Sequence, residues 1–444
     1  GGSYSTPEVF ATYSQNGLTP ASLNFHRNVR ANLPKQSNSV SRKVLLNTWE
    51  AVYFDHDQEK LKNLAEFAAS VGVERFVLDD GWFAGRRNDK TSLGDWWVSP
   101  EIYPNGLAPL ISHVRKLGMD FGIWVEPEMI SEDSELFRMH PDWALVSPDY
   151  EPVRSRNQLV LNLVHVPAYE YVFSKLDKLL SENEILFIKW DMNRPHVQAT
   201  LKSGAAGTHE QTLAFYKLVD QLREKHRHIE IESCSSGGGR IDHEILRRTD
   251  RVWTSDCIDP YRRQKIQRGA SMFIPNEVMG AHIGAEKAHT TSRVHSLEFR
   301  AISAVFGHLG LELDLTICSQ SELQLIKQAI DWHKKFRGLL HSGDAVRFDC
   351  ESASQISHGV YSQDRNEALV SLVQLTETKQ GEDAEFLRLP GLDSDRRYRV
   401  AALDSNFVTS RDVGEYTGQQ LANTGLKLSK MHPETGTIFH LLSI

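Results

Sequence analysis

"ILFIKWDMNR" (residues 185–194) sets an apolar run, Ile185 to Ile188, directly against a Lys, an Asp, an Asn and an Arg. A continuous apolar run is the mark of a strand covered on both faces. Such a strand should finish in a turn, yet this one delivers Lys189 and Asp191 to the same side, because strand side chains alternate with a period of two. The same kind of ending recurs outward from it. "RFVLDDGW" (75–82) closes on Asp79 and Asp80, "FGIWVEPEM" (121–129) on Glu126 and Glu128, "IEIESCSS" (229–236) on Glu232 and Cys234, and "RVWTSD" (251–256) on Asp256.

Three further runs complete the set: "KVLLNTW" (43–49), "SMFIPNEVMG" (271–280) and "LGLELDL" (309–315). Amphipathic stretches lie between them. Leu61, Leu64, Ala65, Ala68 and Val71 fall on one helical stripe that stops before Gly72, and Leu107, Leu110, Ile111, Val114 and Leu117 form another. Eight strand–helix units predict an α/β fold, a parallel (β/α)8 TIM barrel, with no glycine-rich dinucleotide fingerprint after the first strand. Beyond "AIDWHKKFRGLL" the texture changes to short β-type runs such as "ALVSLVQL" and "RYRVAAL" divided by turn residues. The predicted organisation is a linker segment over 1–42, a catalytic barrel over 43–340 and a C-terminal antiparallel β-sandwich over 341–444.

The chain of 444 residues is 40% hydrophobic and 24% charged, the composition of a soluble globular protein of two domains. Its net charge of −8 argues against a nucleic-acid partner, and no apolar run is long enough for a membrane span. "GGSYSTPEVF" shows no signal peptide and reads as the middle of a longer protein. Four scattered cysteines without CxxC spacing predict reduced thiols in the cytoplasm. The run "LRRTDR" (246–251) is expected on a solvated face.

Carboxyl ends of barrel strands are where this fold keeps its active sites. Asp191 and Asp256 close the fourth and sixth strands, whose tips can converge over the mouth. Paired carboxyls about 5–10 Å apart are the equipment of glycoside hydrolysis. Lys189 is expected to keep Asp191 ionised. Trp82, Trp124, Trp190 and Trp253 offer faces for sugar stacking, and Asp79 and Asp80 can hold hydroxyls. "SSGGGR" (235–240) lacks the Lys-Ser/Thr of a phosphate loop and predicts a tight turn that lets backbone approach a ligand. No metal or other cofactor is expected.

"LDDGWF", "GIWVEPEM", "KWDMNR", "ESCSSGGGR" and "VWTSDCID", in this order and spacing, resemble the α-galactosidases of glycoside hydrolase family 36 over essentially the whole chain. "YSQNGLTPASLNFHRNVRANL" resembles the linker that follows that family's N-terminal β-supersandwich, which is absent from this sequence. The resemblance implies a retaining hydrolase of terminal α-galactosides such as melibiose and raffinose. It places the nucleophile on Asp191 and the acid/base on Asp256. Galactose binding falls on Asp79, Asp80, Trp124, Arg156, Lys189, Cys234 and Gly237, with support from Arg240 and Arg263. Departures are Cys257 and Ile258 where many members carry Asn and Thr, and Asn162 where Asp is common. The partner implied is a galactoside, and homo-oligomer contacts are expected to be weakened without the N-terminal domain. Alternatives are an α-N-acetylgalactosaminidase, a galactosyltransferase of the same family, or a sugar-binding fragment of weakened catalysis.

Overall fold

The computed structural model describes residues 2–3, 5–34, 41–378 and 385–444. Eight parallel strands close into a barrel: Leu45–Asn47, Arg75–Leu78, Asp120–Val125, Phe187–Trp190, Glu230–Ser233, Arg251–Trp253, Met279–Gly284 and His308–Glu312. Each neighbours the next in chain order, and the first pairs with the eighth (Leu45 opposite Gly310), which shuts the cylinder.

Helices cover the outside for reasons visible in their sequences. In Gln58–Ser70 the Asp57 side chain caps the start by accepting from the Lys60 N–H at 2.8 Å. Leu61, Leu64, Ala65 and Ala68 all face the barrel and are buried. Full burial of each leucine is worth roughly 2–3 kcal/mol. Gly72, at φ +96°, ends the helix in a backbone state that side chains disfavour.

The interior is layered, and the layering follows the period of two. At the amino-terminal end Arg75 pairs with Glu230 and lies over the Phe187 ring. Above it Leu45, Val77 and Phe187 form a small apolar layer. Two residues further along the same strands stand Asn47, Asp79 and Lys189, joined by Glu312, His282, Arg251 and Glu232 in a polar layer. The charged strand tips are therefore the upper storeys of a column, parted from the Arg75–Glu230 pair at its foot by an apolar layer.

Two sequence expectations give way here. The seventh strand lies at Met279–Gly284, beyond most of 271–280. Ser271 caps the preceding helix, Pro275 breaks the chain and Asn276–Val278 forms a 3-10 turn. The strand itself, "MGAHIG", is weak by propensity. Gly280 is required because a Cβ there would come within 2.7 Å of the Arg251 guanidinium and 2.8 Å of the Trp253 ring. The run 246–251 is likewise not a solvated face: Arg251 is buried inside the barrel against Glu232, and Asp250 is buried with Arg223.

The segment read as a linker carries a helix, Leu18–Asn32. Ser22 Oγ donates to the Ser271 carbonyl at 3.0 Å, and Arg30 pairs with Glu277 at 2.6 Å. After helix Gln320–Ser342 comes a six-stranded antiparallel sheet, in spatial order 344–348, 355–361, 367–374, 435–443, 397–403, 410–417. One face shares a core with the barrel helices through Val360, Leu369, Val373 and Ile438 against Ile302 and Trp332. The other face, with Tyr398 and Val400, is covered by a two-stranded ribbon (Phe386–Leu387 with Leu426–Lys427) and the short helix bearing Leu421. The second layer of this domain is thus a ribbon and a helix, much smaller than the first. No helix among the described residues is long and apolar enough to cross a membrane.

Candidate active site

A cavity of about 320 Å³ opens at the carboxyl end of the barrel. Of the eleven residues singled out from sequence, seven line it: Asp79, Asp80, Trp124, Arg156, Lys189, Asp191 and Asp256. Cys234, Gly237, Arg240 and Arg263 stand behind its wall. A slightly larger cavity, about 370 Å³, lies between helix Leu297–Ala304 and the C-terminal sheet. None of its lining residues comes from the carboxyl ends of the barrel strands.

Asp191 is placed by the ladder itself. Its N–H donates to the Val125 carbonyl at 2.8 Å, one step past the pairing of Val125 with Trp190. Three N–H donors converge on its carboxyl: the Trp124 indole at 3.2 Å, the Asn193 amide at 2.8 Å and the Met192 backbone at 2.9 Å. Lys189, expected to serve Asp191, instead bonds Asp79 Oδ2 at 2.7 Å across the barrel. Period two does put both side chains inside, but the long lysine stem carries its ammonium to the second strand. Cys234 sits behind Asp191 as a buried thiol, its pKa pushed up by burial and then by the charges of Asp191 and Asp256.

Asp256 opens into the cavity. The protein around it raises its pKa above the ordinary aspartate value, chiefly by removing water and next by the charge of Asp191, with Lys189 and Arg156 offsetting part of the rise. Its loop is pinned from below by Arg263. That buried guanidinium donates to the carbonyls of Cys257 (2.8 Å), Ser255 (2.6 Å) and Gly280 (3.0 Å) and to Thr254 Oγ1 (2.6 Å). It also lies 4.3 Å over the Trp253 ring. Burial brings its pKa down to about 10, so it remains charged at neutral pH.

The glycine run also acts on this loop. Gly237 has φ +81°, and a Cβ there would fall 2.6 Å from the Asp256 nitrogen and 2.7 Å from Ser255 Cα. The tight turn expected from "SSGGGR" is present, and the backbone it lets approach is that of Ser255–Asp256. Arg240 works further back: it bonds Glu128 at 2.8 Å, and Glu128 also accepts from the Trp190 indole at 2.9 Å.

Asp80 is held by Arg86 through three contacts between 2.8 and 3.2 Å. Arg156, in the left-handed region at φ +52°, reaches Asn193 Oδ1 at 2.6 Å. Among the tryptophans, Trp124 and Trp253 line the cavity, whereas Trp82 and Trp190 are fully buried and belong to the core. Sequence reasoning missed Trp49, Glu50, Arg86, Asn193 and Glu312, all of which line or brace the site. Trp49 and Glu50 follow the first strand directly ("LLNTWE"), the position where a barrel offers residues to its mouth, and that signal was available. Glu126 and Glu312 are buried acids whose pKa values burial lifts to about 8; the charge of Asp191 adds to the rise at Glu126, and at Glu312 Lys189 opposes it.

Two carboxyls in unlike surroundings thus face one cavity with indole walls at the mouth of a (β/α)8 barrel. Residues 3–343 match the family profile described as Melibiase, and residues 355–441 the glycosyl hydrolase family 36 C-terminal domain. The chain belongs to glycoside hydrolase family 36. Similar proteins include an alpha-galactosidase of Escherichia coli, 43% identical over 98% of this chain and 63% of the relative. Alpha-galactosidase AgaA of Geobacillus stearothermophilus is 38% identical over 96% of this chain and 58% of its own length. The crystal structure of AgaA superposes with a TM-score of 0.90 at 36% identity, covering 96% of this chain and 59% of that one. A variant of AgaA in complex with raffinose gives the same score, identity and coverage. The chain spans about three fifths of the length of these relatives.

Proposed function

We propose that this chain is a retaining α-galactosidase that works by double displacement. Asp191 attacks the anomeric carbon of a terminal α-galactosyl unit, forming a glycosyl–enzyme ester, while protonated Asp256 donates its proton to the departing oxygen. Asp256, now a carboxylate, takes a proton from water as that water attacks the same carbon and frees galactose and Asp191. The observation that carries this reading is the contrast between the two acids. Asp191 is buried and held by three N–H donors, the fixed placement a nucleophile requires, whereas Asp256 stands exposed at the cavity with its pKa above the ordinary aspartate value. Asp79 and Asp80, fixed by Lys189 and Arg86, present their remaining lone pairs as hydroxyl acceptors on the deep side of the cavity.

Melibiose and raffinose are the proposed substrates, supported by the names of the relatives and the raffinose complex of AgaA. Four free cysteines fit a reducing, cytoplasmic setting. The test uses this chain as it stands. Wild type should cleave p-nitrophenyl α-galactoside far faster than the N-acetylgalactosamine analogue, and proton NMR should show α-galactose as the first product. Asp191→Asn should abolish turnover while the fold persists. Asp256→Ala should lose far more on melibiose than on the nitrophenyl substrate, because a phenolate leaves almost unaided. A first product of β configuration would sink the double displacement.

A further inference from the structure

Besides Asp79, Asp80 and the loop residue Asp89, three carboxyls at the cavity have no part in the double displacement: Glu50, Glu126 and Glu312. Two of them are engaged by the protein. Glu126 accepts from the Gln158 amide at 2.9 Å and from the Asn193 backbone, and Glu312 accepts from Asn47 at 3.0 Å and bonds His282 at 2.7 Å. Glu50 differs. It stands on the short helix Trp49–Val52 at the end of the first barrel strand and lines the cavity. Its Oε2 is shut off from solvent and has no hydrogen-bond partner among the described residues.

An unpartnered buried carboxyl oxygen costs about 1–3 kcal/mol, so a purely structural acid would be paired as the other two are. The carboxyl as a whole lines the ligand cavity, and its other oxygen, Oε1, which is not shut off, also has no hydrogen-bond partner among the described residues and is the one free to meet a ligand. Glu50 shares the cavity lining with Glu312, Lys189 and Asp256. Burial first, and then the charge of Glu312, lift its pKa to about 9. That shift favours the protonated carboxyl, which offers one O–H donor and one carbonyl acceptor. A hydroxyl, which also gives one bond and takes one, is the complement of that group; a cation is not.

We propose that Glu50 is a substrate-binding residue whose carboxyl, giving one hydrogen bond and taking one, holds a ring hydroxyl of the bound sugar beside Asp256. The inference rests on the galactosidase reading and adds to it a contact from the first strand's loop. It is tested by isothermal titration with free galactose, by steady-state kinetics on p-nitrophenyl α-galactoside, and by thermal unfolding, on wild type, Glu50→Gln and Glu50→Leu. Glu50→Gln retains a donor and an acceptor and should bind galactose within about threefold of wild type. Glu50→Leu should raise both the galactose Kd and KM about 10- to 30-fold with kcat within a few-fold, while Tm holds or rises because the orphan oxygen is gone. Glu50→Ala takes its place if the leucine variant is insoluble. Wild-type galactose affinity in the apolar variant, or an equal loss in Glu50→Gln, would overturn the assignment. A wild-type chain that neither binds galactose nor cleaves the substrate would overturn the galactosidase reading, and this contact with it.

Discussion

Gly237→Ala is a one-methyl change that should strike the acid and spare the nucleophile. The added Cβ would lie 2.6 Å from the Asp256 nitrogen, about 0.8 Å short of ordinary contact, with Ser255 Cα and carbonyl carbon also inside 3.0 Å. All three obstacles are backbone, so no side chain can swing aside. The residue itself must also keep φ +81°, which costs an alanine roughly 1–2 kcal/mol. Ser255 is pinned from the far side by Arg263 at 2.6 Å, so the chain relieves the overlap by moving the loop that carries Asp256. A misplacement near 1 Å lowers rates about 100-fold when the displaced group acts in the transition state.

The loss should therefore depend on the leaving group. With melibiose, whose departing sugar needs a proton, kcat/KM should fall about 100-fold. With p-nitrophenyl α-galactoside it should fall less than about 10-fold. Near-UV circular dichroism verifies that the core persists. Equal losses on both substrates in a folded variant would refute the argument that this glycine serves Asp256, and would return it to direct contact with galactose.

Arg263→Lys tests the same loop from below. One ammonium cannot span four acceptors that a planar guanidinium reaches together, so the variant should lose about 2–4 kcal/mol in denaturant titration and share the leaving-group signature of Gly237→Ala. The alkaline stability profile tests the buried acids. Glu50, Glu126 and Glu312 have folded pKa values of about 9, 8 and 8, raised above the unfolded carboxyl. The folded state thus holds protons more tightly than the unfolded one. Their contribution is complete below the unfolded pKa, near 4.5, and is lost as pH climbs to 8–9. Tm should decline from pH 6 to pH 9.5, and Glu50→Gln should flatten the decline; a Tm independent of pH over that span would contradict the burial of these groups as acids.

What the sequence disclosed was local. Strand-end carboxyls are recognisable because an apolar run must stop somewhere, and a stop on charge in five strands has no structural economy of its own. Partnership across the barrel was not legible. Nothing near Lys189 announces that its ammonium belongs to Asp79, 110 residues earlier. Arg86 sits in a loop, "AGRRND", where one arginine resembles its neighbour, yet Arg86 is buried on Asp80 while Arg87 turns to loop carbonyls. Trp82 and Trp190 misled because an indole at a strand end looks alike whether it faces the sugar or the helices. Trp190 alternates with Lys189 and Asp191, so its outward direction was implied by the same period of two that sent those residues inward.

That alternation also explains how a lysine and an aspartate two residues apart can sit in one barrel without neutralising each other. The apolar layer of Leu45, Val77 and Phe187 closes the column from below, so every charge above it must find a partner in its own layer or at the mouth. Lys189 finds Asp79, which fixes that carboxylate as a hydroxyl acceptor. Asp191, one step higher, is left to uncharged N–H donors, which fix its carboxyl without covering it with a cation. A carboxylate clamped by an ammonium would be a poor nucleophile, because attack would have to break an ion pair. Separating the two by one rung of the strand leaves one acid paired with a cation and the other free of it, as the proposed roles of sugar holder and nucleophile require.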